Sequence, residues 1–145
     1  MTPDYVSLAA FRYSIRRFLK AVDSALAEAN VEPQQYQLML AVKARHVVGE
    51  EASIRDLAET MLLTHHSCVG LIDRLERRGL VQRSRSTTDA RVVPIELTTE
   101  GEATVARLAT VGQSQLQLLG PDLIAALTSL IQSVNAAQHD MERSH

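Results

Sequence analysis

The sequence predicts a mostly α-helical protein with one small β-hairpin, in the order α-α-α-α-β-β-α-α. Three observations carry this. Apolar residues recur at every third or fourth position over most of the chain, the spacing that gives a helix one apolar side. The period changes to alternation once, through Leu80 to Arg85 and Val92 to Leu97 around a polar Ser86 to Ala90 tip. Residues that start and stop helices stand at the joints: Ser53, Thr64 and Thr98 as N-terminal caps, Gly79 as a terminator.

Each element has its own grounds. Tyr5, Leu8, Phe11, Ile15, Phe18, Leu19, Val22 and Leu26 keep helical spacing from Asp4 to Ala29, with Arg12, Arg16, Arg17 and Lys20 on the other side. Asn30 to Pro33 ends that helix, and Pro33 suits the first turn of a second through Tyr36, Leu38, Leu40 and Val42. Gly49 marks a turn. Ser53, with Asp56 three residues on, resembles a capping box for a short helix through Leu57, Ala58 and Met61. Thr64 caps the next, whose apolar side is Cys68, Leu71, Ile72 and Leu75. Two short helices around a tight turn make a helix-turn-helix. Pro94 donates no ladder bond, so the returning strand should be an edge, with a tiny extra strand near Ala52. Beyond Thr98 a helix through Val105, Leu108 and Val111 should break at Gly120 and Pro121, and Leu123, Leu127, Leu130, Ile131 and Val134 should line one face of a last helix.

The totals bound the function. A chain of 145 residues with 46% hydrophobic residues can bury one core, and no apolar run is long enough to cross a bilayer. The first twenty residues lack the features of a secretory signal and Cys68 is the lone cysteine, so a cytoplasmic protein without disulfides is expected. No glycine-rich phosphate loop, nucleophile elbow or triad appears, so neither an enzyme nor a cofactor is expected.

Charge is distributed unevenly. Between Thr64 and Arg91 stand six arginines (Arg74, Arg77, Arg78, Arg83, Arg85, Arg91) against three acids (Asp73, Glu76, Asp89), a local balance of +3 in a chain of net charge −2. Arginines near a helix end often only complement its dipole in solvent. Those of the hairpin favour another reading. A helix-turn-helix followed by an arginine-flanked hairpin has the parts of a winged helix, with one helix for a major groove, a loop for the adjacent minor groove, and cations confined to the face that meets phosphates.

The stretch from Leu57 to Gly101 resembles the MarR family of winged-helix transcriptional regulators. The family's D-x-L-x-x-x-G-L-V-x-R run is matched by Asp73, Leu75, Gly79, Leu80, Val81 and Arg83, and its wing pattern, D-x-R followed by L-T-x-x-G, by Asp89, Arg91, Leu97, Thr98 and Gly101. The resemblance implies a homodimer on a pseudo-palindromic duplex operator. Residues 1–32 and 99–145 would form a helical dimerisation region, and 33–98 the winged helix-turn-helix, within a single domain of 1–145. It implies a repressor released by a small aromatic or phenolic effector, for whose pocket Tyr13, Arg16, Arg17 and Tyr36 are guesses.

Roles follow for single residues. Thr64, His65, His66 and Ser67 open the recognition helix and offer donors and acceptors to base edges. Gly70 lies one turn on, where many relatives carry a larger polar residue. Arg74 and Arg77 should hold phosphates, with Arg83 and Arg85 on the flanking backbone. By resemblance Arg91 reaches the minor groove and Asp89 orients it; the plainer alternative is a loop ion pair of at most about 1 kcal/mol. Two other functions compete with this one: a winged helix that docks protein, and a redox- or metal-responsive regulator using Cys68. His65 and His66 point about 100° apart on a helix and cannot share one ion unaided, and a cysteine on the apolar side usually acts as a small hydrophobe. No metal site is expected.

Overall fold

The computed structural model describes residues 2–145. Among them lie α1 (Tyr5–Glu28), α2 (Pro33–Val47), α3 (Ile54–Met61), α4 (His65–Arg77), β1 (Val81–Arg83), β2 (Ile95–Leu97) and α5 (Thr99–Arg143). Contacts divide the chain into two compact units. One holds Ala25–Thr110; the other holds the residues up to Ser24 with Val111–His145.

In the Ala25–Thr110 unit, local sequence sets the ends of the elements. Pro33 opens α2 behind a capping box in which Glu32 and Gln35 satisfy each other's backbone N–H groups. The Asp56 N–H donates to Ser53 Oγ at 3.1 Å, and the Ser67 N–H to Thr64 Oγ1 at 3.1 Å, so α3 and α4 begin where their caps stand. Gly79 follows α4 at φ +70°, which lets the Leu80 N–H return to the Leu75 carbonyl at 3.0 Å. Leu38, Met39, Val42, Leu57, Leu71, Ile72, Leu75, Ile95 and Leu108 are buried together with Cys68. Removing these side chains from water drives the helix-turn-helix onto α2, at roughly 1.5–3 kcal/mol for each large one.

The hairpin is smaller than its alternating pattern suggested. Val81 pairs with Leu97, Gln82 with Glu96 and Arg83 with Ile95, antiparallel, and pairing stops there. Pro94 has no N–H for the ladder, and beyond it Val92 is only half-buried and Val93 exposed, so further pairing would bury little. Near Ala52 there is one sheet-like bond, from the Ile95 N–H to the Ala52 carbonyl at 2.8 Å, and no assigned strand.

A second correction concerns the last helix. The expected break at Gly120 and Pro121 is absent, and α5 runs through Pro121 as one helix of 45 residues. The order is therefore α-α-α-α-β-β-α. A proline inside a helix loses one hydrogen bond and crowds the preceding residue's Cβ. Gly120 has no Cβ, which removes that part of the clash, and turns rich in leucine and glutamine before it and in leucine and alanine after Pro121 favour continuation.

The other unit packs the start of α1 antiparallel to the later part of α5. Arg17 meets Asp122 at 3.4 Å, and Asp4, whose Oδ1 caps α1 at the Ser7 N–H, accepts a hydrogen bond from Ser133. That hydroxyl, before the Ser7 N–H, holds the Asp4 carboxyl below its usual range. This unit has little core. Among its described residues Val22 and Ser14 are buried, while Tyr5, Val6, Leu8, Leu118, Ile124, Leu127, Ile131 and Val134 are exposed.

Candidate nucleic-acid interface

Helix α4 separates two kinds of residue by angle. At 100° per residue, Cys68, Leu71, Ile72 and Leu75 occupy one side and are buried. His66, Gly70, Arg74 and Arg77 fall on the opposite side, with Ser67 beside them, and His65, His66, Ser67, Arg74 and Arg77 are exposed. The first turn is held ready. Thr64 accepts the Ser67 N–H and gives its own hydroxyl proton to Ser67 Oγ at 3.0 Å, which leaves the Ser67 O–H free to donate outward. Among the described residues neither Arg74 nor Arg77 enters an ion pair.

Gly70 is open. A Cβ there would meet nothing nearer than Arg74 Nη1, at 3.7 Å, so glycine is not required by packing within the chain.

Arg83 stands elsewhere than expected. Its guanidinium bridges back to α4, with Nη2 to Asp73 and Nη1 to Glu76 at 2.7 Å each, while its N–H donates to Glu76 at 3.3 Å. The Asp73 hydrogen bond leads in raising its pKa above the ordinary arginine value. With the side chain 29% exposed and paired twice, Arg83 neutralises two carboxylates beside the exposed side of α4. Arg85 is exposed and, among the described residues, has no ion-pair partner.

At the wing tip Asp89 and Arg91 form a closed unit. Asp89 Oδ1 accepts the Arg91 N–H at 3.0 Å and Nε at 3.2 Å. The Arg91 N–H, then its side chain, lowers the Asp89 pKa. The Arg91 side chain is nevertheless 91% exposed, so the pair points the guanidinium outward without covering it. The wing stem is clamped too. Thr98 caps α5 by accepting the Gly101 N–H at 3.0 Å, donates its hydroxyl to the Gly79 carbonyl at 2.6 Å, and gives its N–H to the Leu80 carbonyl at 3.1 Å. Gly101 approaches Leu80 so closely that any Cβ there would overlap the Leu80 carbonyl.

Cys68 is fully buried, its S–H directed at the Ile54 carbonyl 3.9 Å away, and burial raises its pKa. Among the described residues no three His, Cys, Asp or Glu side chains are placed to share a metal ion. The guessed effector residues are divided. Tyr13 and Arg17 line one groove of about 440 Å³ with Asp122, the Arg17 guanidinium 5.8 Å from the Tyr13 ring centre. Arg16 is exposed outside that groove, and Tyr36 is half-buried on α2 in the other unit, where burial raises its pKa. Two residues that sequence reasoning missed are Arg45 and Glu51. Arg45 ties together Glu50, Asp56 and the Glu51 carbonyl, and the Glu51 carboxylate accepts from Ser86 and Thr87 in the wing. No local pattern announces partners 35 positions apart.

Helix-turn-helix, three-pair hairpin and outward arginine define a winged-helix protein. Residues 29–92 match the model of the MarR family. The HTH-type transcriptional regulator FarR of Neisseria gonorrhoeae is 27% identical over 125 residues, 77% of this chain and 81% of its own. The fold is also that of MepR, a transcription regulator of the Staphylococcus aureus multidrug efflux pump MepA, with a TM-score of 0.72 at 22% identity over 90% of this chain and 98% of its own. The transcriptional repressor CouR, solved on a 23-mer DNA duplex, gives 0.64 at 27% identity over 87% and 89%.

Proposed function

We propose that the chain is a homodimeric DNA-binding transcriptional regulator, acting as a repressor on a pseudo-palindromic operator and released by a small-molecule effector. The carrying observation is the division of labour among the arginines: Arg74, Arg77 and Arg85 are exposed without ion-pair partners among the described residues, whereas Arg83 is spent on the two acids beside them. Binding to phosphates releases counterions only where cations stand free, so this arrangement serves a polyanion along one face of α4 and the wing. Thr64, His66 and Ser67 would read base edges, Arg74 and Arg77 hold phosphates, and Arg91, set by Asp89, enter the minor groove. Gly70 leaves room for the DNA backbone.

Dimerisation is supported by the thin core of the unit that holds the start of α1 and the later part of α5. Apolar residues at 43% exposure for Leu127 and 67% for Ile124 are what a second copy would cover. The groove beside Tyr13 and Arg17 is the candidate effector site, suited to an aromatic anion by its ring and guanidinium.

Selection of duplexes from a random pool, followed by anisotropy titration of the winner at several salt concentrations, tests the reading. The expected result is one enriched, two-fold related sequence whose affinity falls steeply with salt; in Arg74→Ala or Arg77→Ala the slope should drop by about one for each phosphate that the variant no longer neutralises. No enrichment, or affinity indifferent to salt, would overturn it.

A further inference from the structure

The wing presents a positioning problem. β1 and β2 pair over three residues each, and residues 84–94 lie between them. Bonds inside this loop shape it: Ser86 Oγ accepts the N–H groups of Thr88 and Asp89 at 3.1 and 2.9 Å, Asp89 closes on Arg91, and the Ser84 N–H meets the Pro94 carbonyl at 2.9 Å. None of these says where the tip stands relative to α4. Among the described residues, every hydrogen bond from residues 85–93 to the rest of the chain ends on one carboxylate, that of Glu51. It accepts the Ser86 hydroxyl at 2.7 Å, the Thr87 N–H at 3.1 Å and the Thr87 hydroxyl at 3.5 Å. Glu51 is itself held. Arg45 Nε donates to its carbonyl at 2.6 Å while Arg45 Nη2 pairs with Glu50 and Asp56 at 3.2 Å, and the next residue's carbonyl takes the Ile95 N–H.

We propose that Glu51 is a positioning residue for DNA recognition: its carboxylate latches the wing tip to the helix-turn-helix, so that Arg85 and Arg91 are already placed when a duplex arrives. The inference rests on the DNA-binding reading above and adds a residue that touches no DNA. Ordering a loop during binding costs affinity, and a loop ordered beforehand avoids that cost. The Ser86 hydroxyl and then the Thr87 N–H keep the Glu51 carboxyl below its usual range, so the acceptor is ionised at neutral pH. Coulomb's law pulls the other way, since an acid in a basic DNA-facing region repels phosphate.

The test compares Glu51→Ala with Glu51→Gln. Both remove the charge, but glutamine keeps a carbonyl acceptor for the Thr87 N–H. On the duplex selected by the unmodified protein, Glu51→Ala should bind about five times more weakly per wing, the scale of one or two hydrogen bonds, and Glu51→Gln, which keeps an acceptor for Thr87 but not for the Ser86 hydroxyl, should recover part of that loss. On an unselected duplex of equal length neither change should weaken binding. Trypsin supplies a readout without DNA, because Arg85–Ser86 and Arg91–Val92 are cleavable bonds of the wing. Glu51→Ala should be cut there several times faster than the parent, and Glu51→Gln at an intermediate rate, with helical circular dichroism unchanged. Faster cutting without any duplex binding by the parent would uphold the latch and refute the DNA reading. Equal cutting rates, or both variants binding the selected duplex more tightly, would overturn the latch.

Discussion

Gly101→Ala should be among the more damaging single-methyl additions to this protein, although alanine is ordinarily the better helix former. Gly101 sits in the first turn of α5, where the usual exchange favours alanine by about 1 kcal/mol. Here a Cβ would stand 3.0 Å from the Leu80 carbonyl carbon and overlap its oxygen, against backbone rather than a yielding side chain. Relief requires α5 and the Gly79–Leu80 segment to part by on the order of 1 Å, with an overpacking cost of about 1–3 kcal/mol. That movement also strains two bonds, Thr98 N–H to the Leu80 carbonyl and Thr98 hydroxyl to the Gly79 carbonyl, together about 2 kcal/mol if both break. Set against the helix gain, the net destabilisation is about 2–4 kcal/mol. Urea unfolding followed by circular dichroism, at one fixed protein concentration so that assembly does not confuse the midpoints, measures it. Unchanged or higher stability would refute the reasoning, because propensity would then have outweighed the clash.

Gly70→Ala is the matched control: its Cβ meets only Arg74 Nη1 at 3.7 Å, so the same unfolding assay should show a gain of about 0.5–1 kcal/mol. Leu62 ends α3 at φ 56° with 92% of its surface exposed, and Leu62→Gly should relieve the left-handed cost and raise stability by about 1 kcal/mol; a loss would mean that the leucine has a partner in the assembled protein. Arg83→Ala should lower duplex affinity by unmasking Asp73 and Glu76, and adding Asp73→Asn and Glu76→Gln should restore it; no restoration in anisotropy titrations would return Arg83 to the residues that touch DNA directly. Cys68 should react with iodoacetamide at pH 7.5 far more slowly in the native protein than in urea, since burial both shields the thiol and raises its pKa; comparable rates would reopen the redox alternative.

What could be read from sequence was local. As caps and terminator, Ser53, Thr64, Thr98 and Gly79 act on their immediate neighbours, and each stands where its residue type placed it; the bonds from Thr98 back to Gly79 and Leu80 are not legible in this way. The buried side of α4 follows from its period alone. Pro121 misleads because a proline signals a break only when its neighbours supply the rest of the obstruction, and Gly120 removes part of it. The strands are short because alternation records which way side chains face, not whether backbone partners continue. Arg83 escapes sequence reasoning for the same reason that Glu51 does. A charged side chain's partner is chosen in three dimensions, and the carboxylates near Arg83, ten and seven positions away, count along the chain as charges without showing themselves as ligands. The Asp89–Arg91 unit is legible because its two members are neighbours along the chain.

The clamp at the base of the wing has a consequence for how such a protein can change. Thr98 and Gly101 fasten the chain to Gly79 and Leu80 before the loop begins and after it ends, using backbone carbonyls that exist whatever residues lie between. Closing a longer loop over a fastened stem costs little, about 0.6 kcal/mol for each doubling of its length. Residues 87–91 can therefore be lengthened or given a new charge pattern while the helices beneath keep their stability.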